Sequence, residues 1–333
     1  MKKILVIHDE DRHIEEGRRK AAAFVARALS REFRVIRKPF GPELPQQIRE
    51  ADGVFSVAIG GRSDNLQAHL AGIIDAYGGT RIGPSAFAHA LCLNKAMTKA
   101  VLGAAGIRVP RGILFQGRML RECPSSLEPP FFVKPSREGS GIGVEPSSLQ
   151  QDWQGAMEVA RKQWHRFRQP ILIEEYVSGR ELTVGVLQRR GSVEMLPPLE
   201  VDFSALPEEV EHYQSRRVKE DPRFLDRLIF RCPPRLSKKT REELEKTLCR
   251  AFHILQLEGF VRMEVRLPQE GPPVLIEVNS APGLDPEHSD FPRLVAMSGM
   301  NMEEIIRDVT REALHHRELL SKAPPDLEET VSF

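Results

Sequence analysis

Phe131-Phe132-Val133-Lys134-Pro135-Ser136-Arg137-Glu138-Gly139-Ser140-Gly141-Ile142-Gly143-Val144 is the stretch that decides how this chain of 333 residues is read. Three apolar residues run into a lysine, and Gly139, Gly141 and Gly143 follow in a short loop. A strand that delivers a cation to its end, beside a loop with several free backbone N–H groups, offers what a polyphosphate binds. Taken alone, a flexible hairpin with an incidental lysine has the same appearance. The spacing matches neither a P-loop nor the glycine fingerprint of dinucleotide folds.

Upstream of this stretch, Ile4 to Ile7 reads as a buried parallel strand, and a helix follows from about Glu15, with Phe24, Val25, Ala28 and Leu29 on its apolar stripe. Arg34 to Ile36 (strand), Pro45 to Ala51 (helix), Val54 to Ile59 (strand) and Leu66 to Tyr77 (helix) continue the alternation, broken at Gly60 and Gly61. That order predicts an α/β layer on a parallel sheet. Ala86 to Gly106 reads as helical, with Gly103 and Gly106 as late breaks. A small α+β unit follows, with Val109 to Phe115 extended, a helix over Leu149 to Phe167, and strands at Ile171 to Val177 and Glu181 to Leu187. Val201 to Arg235 is rich in charge and proline and reads as a long functional loop region. A helix at Lys239 to Leu257 precedes strands at Gly259 to Leu267 and Val274 to Asn279, then helices at Phe291 to Met297 and Met302 to Leu314. The tail from Ala323 is expected to be disordered.

The C-terminal strand pair is the second place where chemistry is legible. Alternation puts Arg262 and Glu264 on one face of their strand, and Leu275, Glu277 and Asn279 together on one face of the next. Paired as a hairpin, Glu264, Glu277 and Asn279 converge, and three oxygen ligands suit Mg²⁺. Surface acids neutralised by Arg262 and Arg266 fit the same pattern. In Glu174-Glu175-Tyr176-Val177-Ser178-Gly179-Arg180-Glu181, an apolar strand reaches two acids, where a carboxylate and the backbone could read an adenine amine and Glu181 a ribose hydroxyl. A solvated turn fits it too.

Charge and cysteine content narrow the function classes. Lys plus Arg (48) nearly cancels Asp plus Glu (47), so the balance gives no footprint of a nucleic-acid binder. The four cysteines stand far apart and fit reduced thiols. No apolar run is long enough to span a bilayer and no signal-peptide pattern opens the chain, so a cytoplasmic enzyme with small-molecule substrates, no nucleic acid and no membrane is expected.

Taken together, these elements from about Asp52 to about Arg311 resemble the D-alanine–D-alanine ligase family of the ATP-grasp superfamily. The Lys-Pro-Ser-Arg-Glu-Gly-Ser run is similar to the family segment nearly letter for letter. The resemblance implies an ATP-grasp fold, α/β and α+β, preceded by a Rossmann-like N-terminal domain. Its units are expected at residues 1–92, 93–180 and 181–322, with 323–333 as the tail. It also implies ATP and two Mg²⁺ ions (Mn²⁺ as a substitute), amino-acid substrates, a homodimer, and a place in peptidoglycan biosynthesis. The reaction implied is an amide or dipeptide bond made through an acyl phosphate. Joining of other amino acids, or of another carboxylate and amine, and a nucleotide-binding module without catalysis compete with it.

Residue by residue, the resemblance implies that Lys95 and Lys134 contact phosphates, that Ser140 lies in the closing loop, and that Glu174, Val177 and Glu181 contact the nucleotide. Arg262 and the Gly283 N–H are implied to stabilise the reacting oxyanion. Glu264, Glu277 and Asn279 are implied metal ligands, with Glu264 where the family usually has aspartate, and Asn94 stands for an acid before Lys95. His288 and Ser289 resemble the pair that receives the second substrate's carboxylate, one residue further from Gly283 than in the family. The family's Gly-Gly loop and Ser-x-Glu motif after the first strand are replaced by Ile7-His8-Asp9-Glu10-Asp11, where Asp9 or Glu10 is expected to take over the ammonium contact or else to cap the following helix. The family's tyrosine for the second site is sought at Tyr213. The nucleotide and metal machinery thus reads as intact and the amino-acid sites as altered.

Overall fold

Ile4 to Ile7 are 0–2% exposed, and their side chains alternate between two cores. Ile4 and Val6 join a cluster with Phe24, Val25 and Ile306, while Leu5 and Ile7 join Ile48, Leu70 and Ile74. A strand apolar at every position is thus explained by a sheet covered on both faces. The chain is seen in a computed structural model that describes residues 1–9, 16–58 and 66–322. Gly60, Gly61, Glu10, Asp11 and the tail 323–333 lie outside the described residues.

The first sheet has the order β2 (Arg34–Pro39), β1 (Lys3–His8), β3 (Gly53–Ser56), β4 (Arg81–Ile82), all neighbours parallel. Helices α1 (Glu16–Ser30), α2 (Leu44–Arg49) and α3 (Leu66–Ala76) connect its strands. The helical stretch expected over residues 86–106 is two helices, α4 (Ala86–Leu93) and α5 (Lys95–Ala104), broken at Asn94 with φ −102° and ψ 90°. The Asn94 side chain accepts from the Met97 N–H at 3.2 Å and so caps α5. A capping asparagine in the middle of an apolar pattern is what ends one helix and starts the next.

The second sheet, β5–β8–β6–β7, is antiparallel and comprises β5 (Gly112–Phe115), β6 (Phe131–Pro135), β7 (Leu149–Gln150) and β8 (Ile171–Glu175). Helix α6 (Trp153–Phe167) covers it and begins at the Asp152 cap, so Leu149 and Gln150, expected at the helix start, instead pair with β6. Its inner face packs on the sheet, with Met157 and Ala160 buried against Phe131 and Val133.

The third sheet, β12–β11–β9–β13–β14 with β10 added to β9, carries β9 (Arg180–Arg189), β10 (Ser192–Met195), β11 (Leu199–Asp202), β12 (Ile229–Arg231), β13 (Phe260–Leu267) and β14 (Val274–Asn279). The charged region over residues 201–235 is a packed flap: α7 (Arg216–Glu220) and α8 (Pro222–Leu225) close over Val201, Phe203, Leu206, Val210 and Val218. Its apolar residues are too irregularly spaced to show a period, yet they share one small core. Behind the sheet, α9 (Lys238–Ile254) shares a core with Leu102 and Ile107 from α5 and its exit. Helix α10 (Asp290–Met297) leads to α11 (Met302–Lys322), which runs on past Leu314 and packs Val309 and Leu314 against the first sheet's core.

Candidate active site

The strand–loop stretch that opened the reading delivers Lys134 to a cleft between the second and third sheets. Lys134 is 4% exposed, and its Nζ lies 2.7 Å from Glu174 Oε1 on the neighbouring β8. Beyond Pro135 the chain takes positive φ at Ser140 (54°), Gly141 (76°) and Gly143 (75°). A side chain at Gly143 would meet the Pro135 ring at 2.4 Å, so glycine is required for the loop to fold back on its own strand. The loop is tied to the flap, since Arg216 N–H donates to the Val144 carbonyl (3.2 Å) and Tyr213 Oη to the Glu145 carbonyl (2.7 Å).

Lys95 arrives from a different direction at the same cleft. The break at Asn94 frees the Lys95 N–H, which donates to the Ser136 carbonyl at 3.0 Å and stitches the start of α5 to the end of β6. The ammonium of Lys95 contacts the Glu138 carbonyl and lies 3.2 Å from Glu277 Oε1. Glu277 stands opposite Glu264 in the β13–β14 register, with Asn279 opposite Arg262. Next to this pair the register slips: Glu264 faces Glu277 but Val265 faces Leu275, leaving Ile276 as the extra residue of a β-bulge. The bulge corrects the expected alternation, for Leu275 turns into the core with Met263 and Val278 rather than standing beside Glu277.

The electrostatics of this pair suit a divalent cation. Burial opposes ionisation of Glu277, but Lys95 and Lys134 outweigh it and bring its carboxyl to about 2. At Glu264 burial wins over Arg262 and raises the carboxyl above its ordinary value. Thr183 Oγ1 donates to Glu264 Oε2 at 2.6 Å. Glu264 Oε1 has Arg262 Nε at 2.8 Å, yet neither atom makes a hydrogen bond of acceptable angle. A buried carboxylate oxygen held only by an ill-aligned ion pair is what a bound metal would relieve. Among the described residues no group of three His, Cys, Asp or Glu stands ready as a metal cage. Two carboxylates and an amide are the set Mg²⁺ takes when phosphates and water complete its shell, so the donors fit.

A second, larger space of about 410 Å³ opens between the first and third sheets. Its described wall includes Val54, Phe55, Ile74 and Phe260, and the turn Ser280 to Asp285 with His288 and Ser289. Gly283 leaves room for Ser289 Oγ, which a Cβ would approach to 2.6 Å. Ser140 lines both this cavity and the phosphate-side cleft.

Residues 107–311 match the family described as D-ala D-ala ligase C-terminus. The chain belongs to the D-alanine–D-alanine ligase family. It is 28% identical over 277 residues to a D-alanine–D-alanine ligase of Cupriavidus metallidurans, covering 81% of this chain and 80% of that protein. The identity is 30% over 228 residues to the one from Dechloromonas aromatica, 68% and 70% of the two chains. The fold is that of the D-alanine–D-alanine ligase of Bacillus anthracis complexed with ATP, with a TM-score of 0.74 at 16% identity over 96% of this chain and all (100%) of that one. The VanG D-Ala:D-Ser ligase of Enterococcus faecalis gives 0.67 at 19% identity, over 94% and 99%.

Within this ligase-family fold, the residues marked from sequence fall into two groups. Lys95, Lys134, Ser140, Glu181, Arg262, Glu264 and Glu277 line one cleft. Gly283, His288 and Ser289 line the cavity. Glu174 is 3% exposed and spends its carboxylate on Lys134 and Lys99, so its side chain is a brace between lysines. Glu181 is held by Arg266. Val177 is half-buried just past β8. Asn279 Oδ1 accepts from the Ala281 N–H at 3.1 Å, closing the turn into Gly283.

Tyr213 lines the cleft. It is 5% exposed, its ring packs edge-on to Phe132 at 5.0 Å, and its hydroxyl is spent on the Glu145 carbonyl, so it braces the glycine loop on the cleft side. Asp9 follows β1 and is not among the described residues that line the cavity. Sequence reasoning missed Lys219, which reaches Asp290 at 3.7 Å and lines the cleft, because α7 is too short to show a face. It also missed Lys99, whose ammonium burial pulls down to about 8 against the attraction of Glu174.

His89 was also overlooked. Its Nδ1 lies 2.8 Å from Ser280 Oγ on the cavity wall, and burial, helped by Arg81, lowers it from the ordinary histidine value to about 4. The folded state therefore refuses a proton that the unfolded chain accepts below about pH 6.5. This stabilisation is complete above that pH and is lost as pH falls towards 4. Between pH 7 and pH 5 it amounts to about 2 kcal/mol. Denaturant titrations at the two pH values should show that loss in the wild type and much less of it in His89→Gln; equal losses would remove His89 as the cause.

Proposed function

We propose that this chain is an ATP-dependent carbon–nitrogen ligase that phosphorylates the carboxylate of one amino acid and couples the resulting acyl phosphate to the amine of a second. The observation that carries this reading is the position of Ser140, whose loop borders the lysine- and carboxylate-lined cleft on one side and the cavity of Gly283 and Ser289 on the other. A phosphoryl group delivered at that junction meets a substrate held in the cavity.

In this reading Lys95 and Lys134 offset charge on the transferring phosphoryl group, and burial strengthens both contacts. Arg262, held by Glu264 and Asp290 (3.2 Å), faces the developing oxyanion together with the Gly283 N–H. Glu264, Glu277 and Asn279 would hold two Mg²⁺ ions, with Mn²⁺ as a substitute, which supply positive charge to the phosphates when bound. The glycine loop, fastened to the flap through Tyr213, excludes water that would hydrolyse the acyl phosphate. Units at residues 1–92, 93–180 and 181–322, a homodimer, a cytoplasmic setting and a contribution to peptidoglycan precursors belong to the same proposal. No described helix is long and apolar enough to cross a membrane.

Hydroxylamine tests the chemistry directly. With ATP, Mg²⁺ and a single D- or L-amino acid, the activated carboxylate should be trapped as a hydroxamate with ADP formed in equal amount. Release of AMP and pyrophosphate instead would replace the acyl phosphate by an acyl adenylate and overturn the proposal.

A further inference from the structure

Among the described residues, nothing satisfies one carboxylate oxygen on the cavity wall. Asp285 is 5% exposed and lines the cavity. Its Oδ1 accepts from the Glu287 N–H at 2.9 Å, whereas Oδ2 is buried with no hydrogen-bond partner. The residue is fixed at its backbone as well, its N–H donating to Ser289 Oγ (3.2 Å) and its carbonyl accepting from the Ser289 N–H (3.0 Å). The direction of Oδ2 is therefore set by the turn. It points across to the start of α1, where a Cβ on Gly17 would stand 2.6 Å from it. Glycine at position 17 leaves the oxygen its place there, beside the cavity that both residues line.

Among the described residues, and apart from the exposed His288, the other ionisable side chains on the wall are already committed. Arg81 serves Asp75, Glu258 and the Gly83 carbonyl. His89 is neutral at pH 7, for the reason given above. Much of the remaining wall is apolar, with Val54, Phe55, Ile74 and Phe260 among its residues. A bare buried carboxylate is costly, and the partner that removes the cost is a compact cationic donor brought by a ligand.

We propose that Asp285 binds the ammonium group of an amino-acid substrate whose apolar side chain lies along the Val54, Ile74 and Phe260 wall. This inference rests on the ligase reading above. It also moves the expected ammonium anchor from the segment after β1 to the turn after β14. The recognised class is an α-amino acid with a side chain larger than a methyl group, because about 410 Å³ is far more space than alanine fills.

The test is binding, read by isothermal titration with D- and L-leucine and D- and L-phenylalanine, each against its des-amino acid, isocaproate or hydrocinnamate. A non-hydrolysable ATP analogue and Mg²⁺ are present throughout. Wild type should bind at least one of the four amino acids about tenfold or more tightly than its des-amino counterpart, the discrimination a charged hydrogen bond gives. Asp285→Asn, which keeps the shape and the Glu287 contact, should bring that ratio close to one while affinity for the ATP analogue moves less than about twofold. Gly17→Ala, which leaves the charge but displaces it, should do the same in a protein whose helix is otherwise unharmed. The inference is overturned if none of the four binds wild type, or if both variants keep the preference for the ammonium. Amino-acid binding that depends on Asp285 without hydroxamate formation would support the anchor and count against the ligase chemistry, so the two failures separate.

Discussion

Glu277→Gln lowers amide-forming turnover by at least about a hundredfold, roughly 3 kcal/mol of transition-state stabilisation, while leaving the fold in place. The substitution keeps the volume and removes the charge that Lys95 and Lys134 hold ionised down to about pH 2. Two effects combine. The metal site loses one of its two opposed carboxylates, and Lys95 loses its partner at 3.2 Å, so its ammonium is no longer aimed along β14. Part of the loss should be recoverable at high Mg²⁺ or with Mn²⁺, which accepts a neutral ligand more readily than Mg²⁺ does. Turnover within about threefold of wild type at saturating Mg²⁺, where several kcal/mol is expected of a lost metal ligand, would take Glu277 out of the site.

Lys134→Met raises the KM for ATP and lowers kcat, together costing at least about a hundredfold in kcat/KM, because a buried phosphate contact loses its charge and keeps only its stem. It also removes one of two cations from Glu174, which burial alone would push towards protonation and which Lys134 and Lys99 hold ionised. Breaking a buried pair costs about 3–5 kcal/mol when nothing replaces the partner; with Lys99 still in contact the cost here should be smaller. Denaturant titration beside ATP binding separates the two losses: in Lys134→Met the loss of stability should be modest, because the Lys99–Glu174 pair survives, while ATP affinity falls steeply. A large loss of stability with ATP affinity unchanged would make Lys134 a structural cation only.

The sequence-legible part of the site is the part made by neighbours in the chain. Lys134 and its glycine loop are one continuous stretch, and Glu264, Glu277 and Arg262 obey strand alternation on two consecutive strands, so period and spacing suffice to bring them together. The bulge at Ile276 was not legible, because an extra residue in an apolar strand leaves no mark on the pattern it interrupts. The apolar run that satisfies a helix on both sides of Asn94 does not show the break there; only the resemblance of Leu93-Asn94-Lys95 to the family's helix start points to it. Asp285 was passed over for a different reason: it belongs to a turn, and whether a turn carboxylate faces water or a cavity depends on α1, which arrives from the other end of the chain. Tyr213 shows the reverse. A residue type sought for substrate contact also braces a loop, through the Glu145 carbonyl 2.7 Å from its hydroxyl, a contact between distant segments that no spacing marks.

The central claim is that cleft and cavity form one ligase site, and the measurement that tests it most directly is the stoichiometry of a complete turnover. Purified protein is incubated with ATP, Mg²⁺ and pairs of D- and L-amino acids, alanine, leucine and phenylalanine included, and ADP, phosphate and amide product are quantified together. At least one pair is expected to yield the three in equal amounts, with phosphate release dependent on an amino acid. Phosphate released at the same rate with and without amino acids, and with no amide formed by any pair, would contradict it.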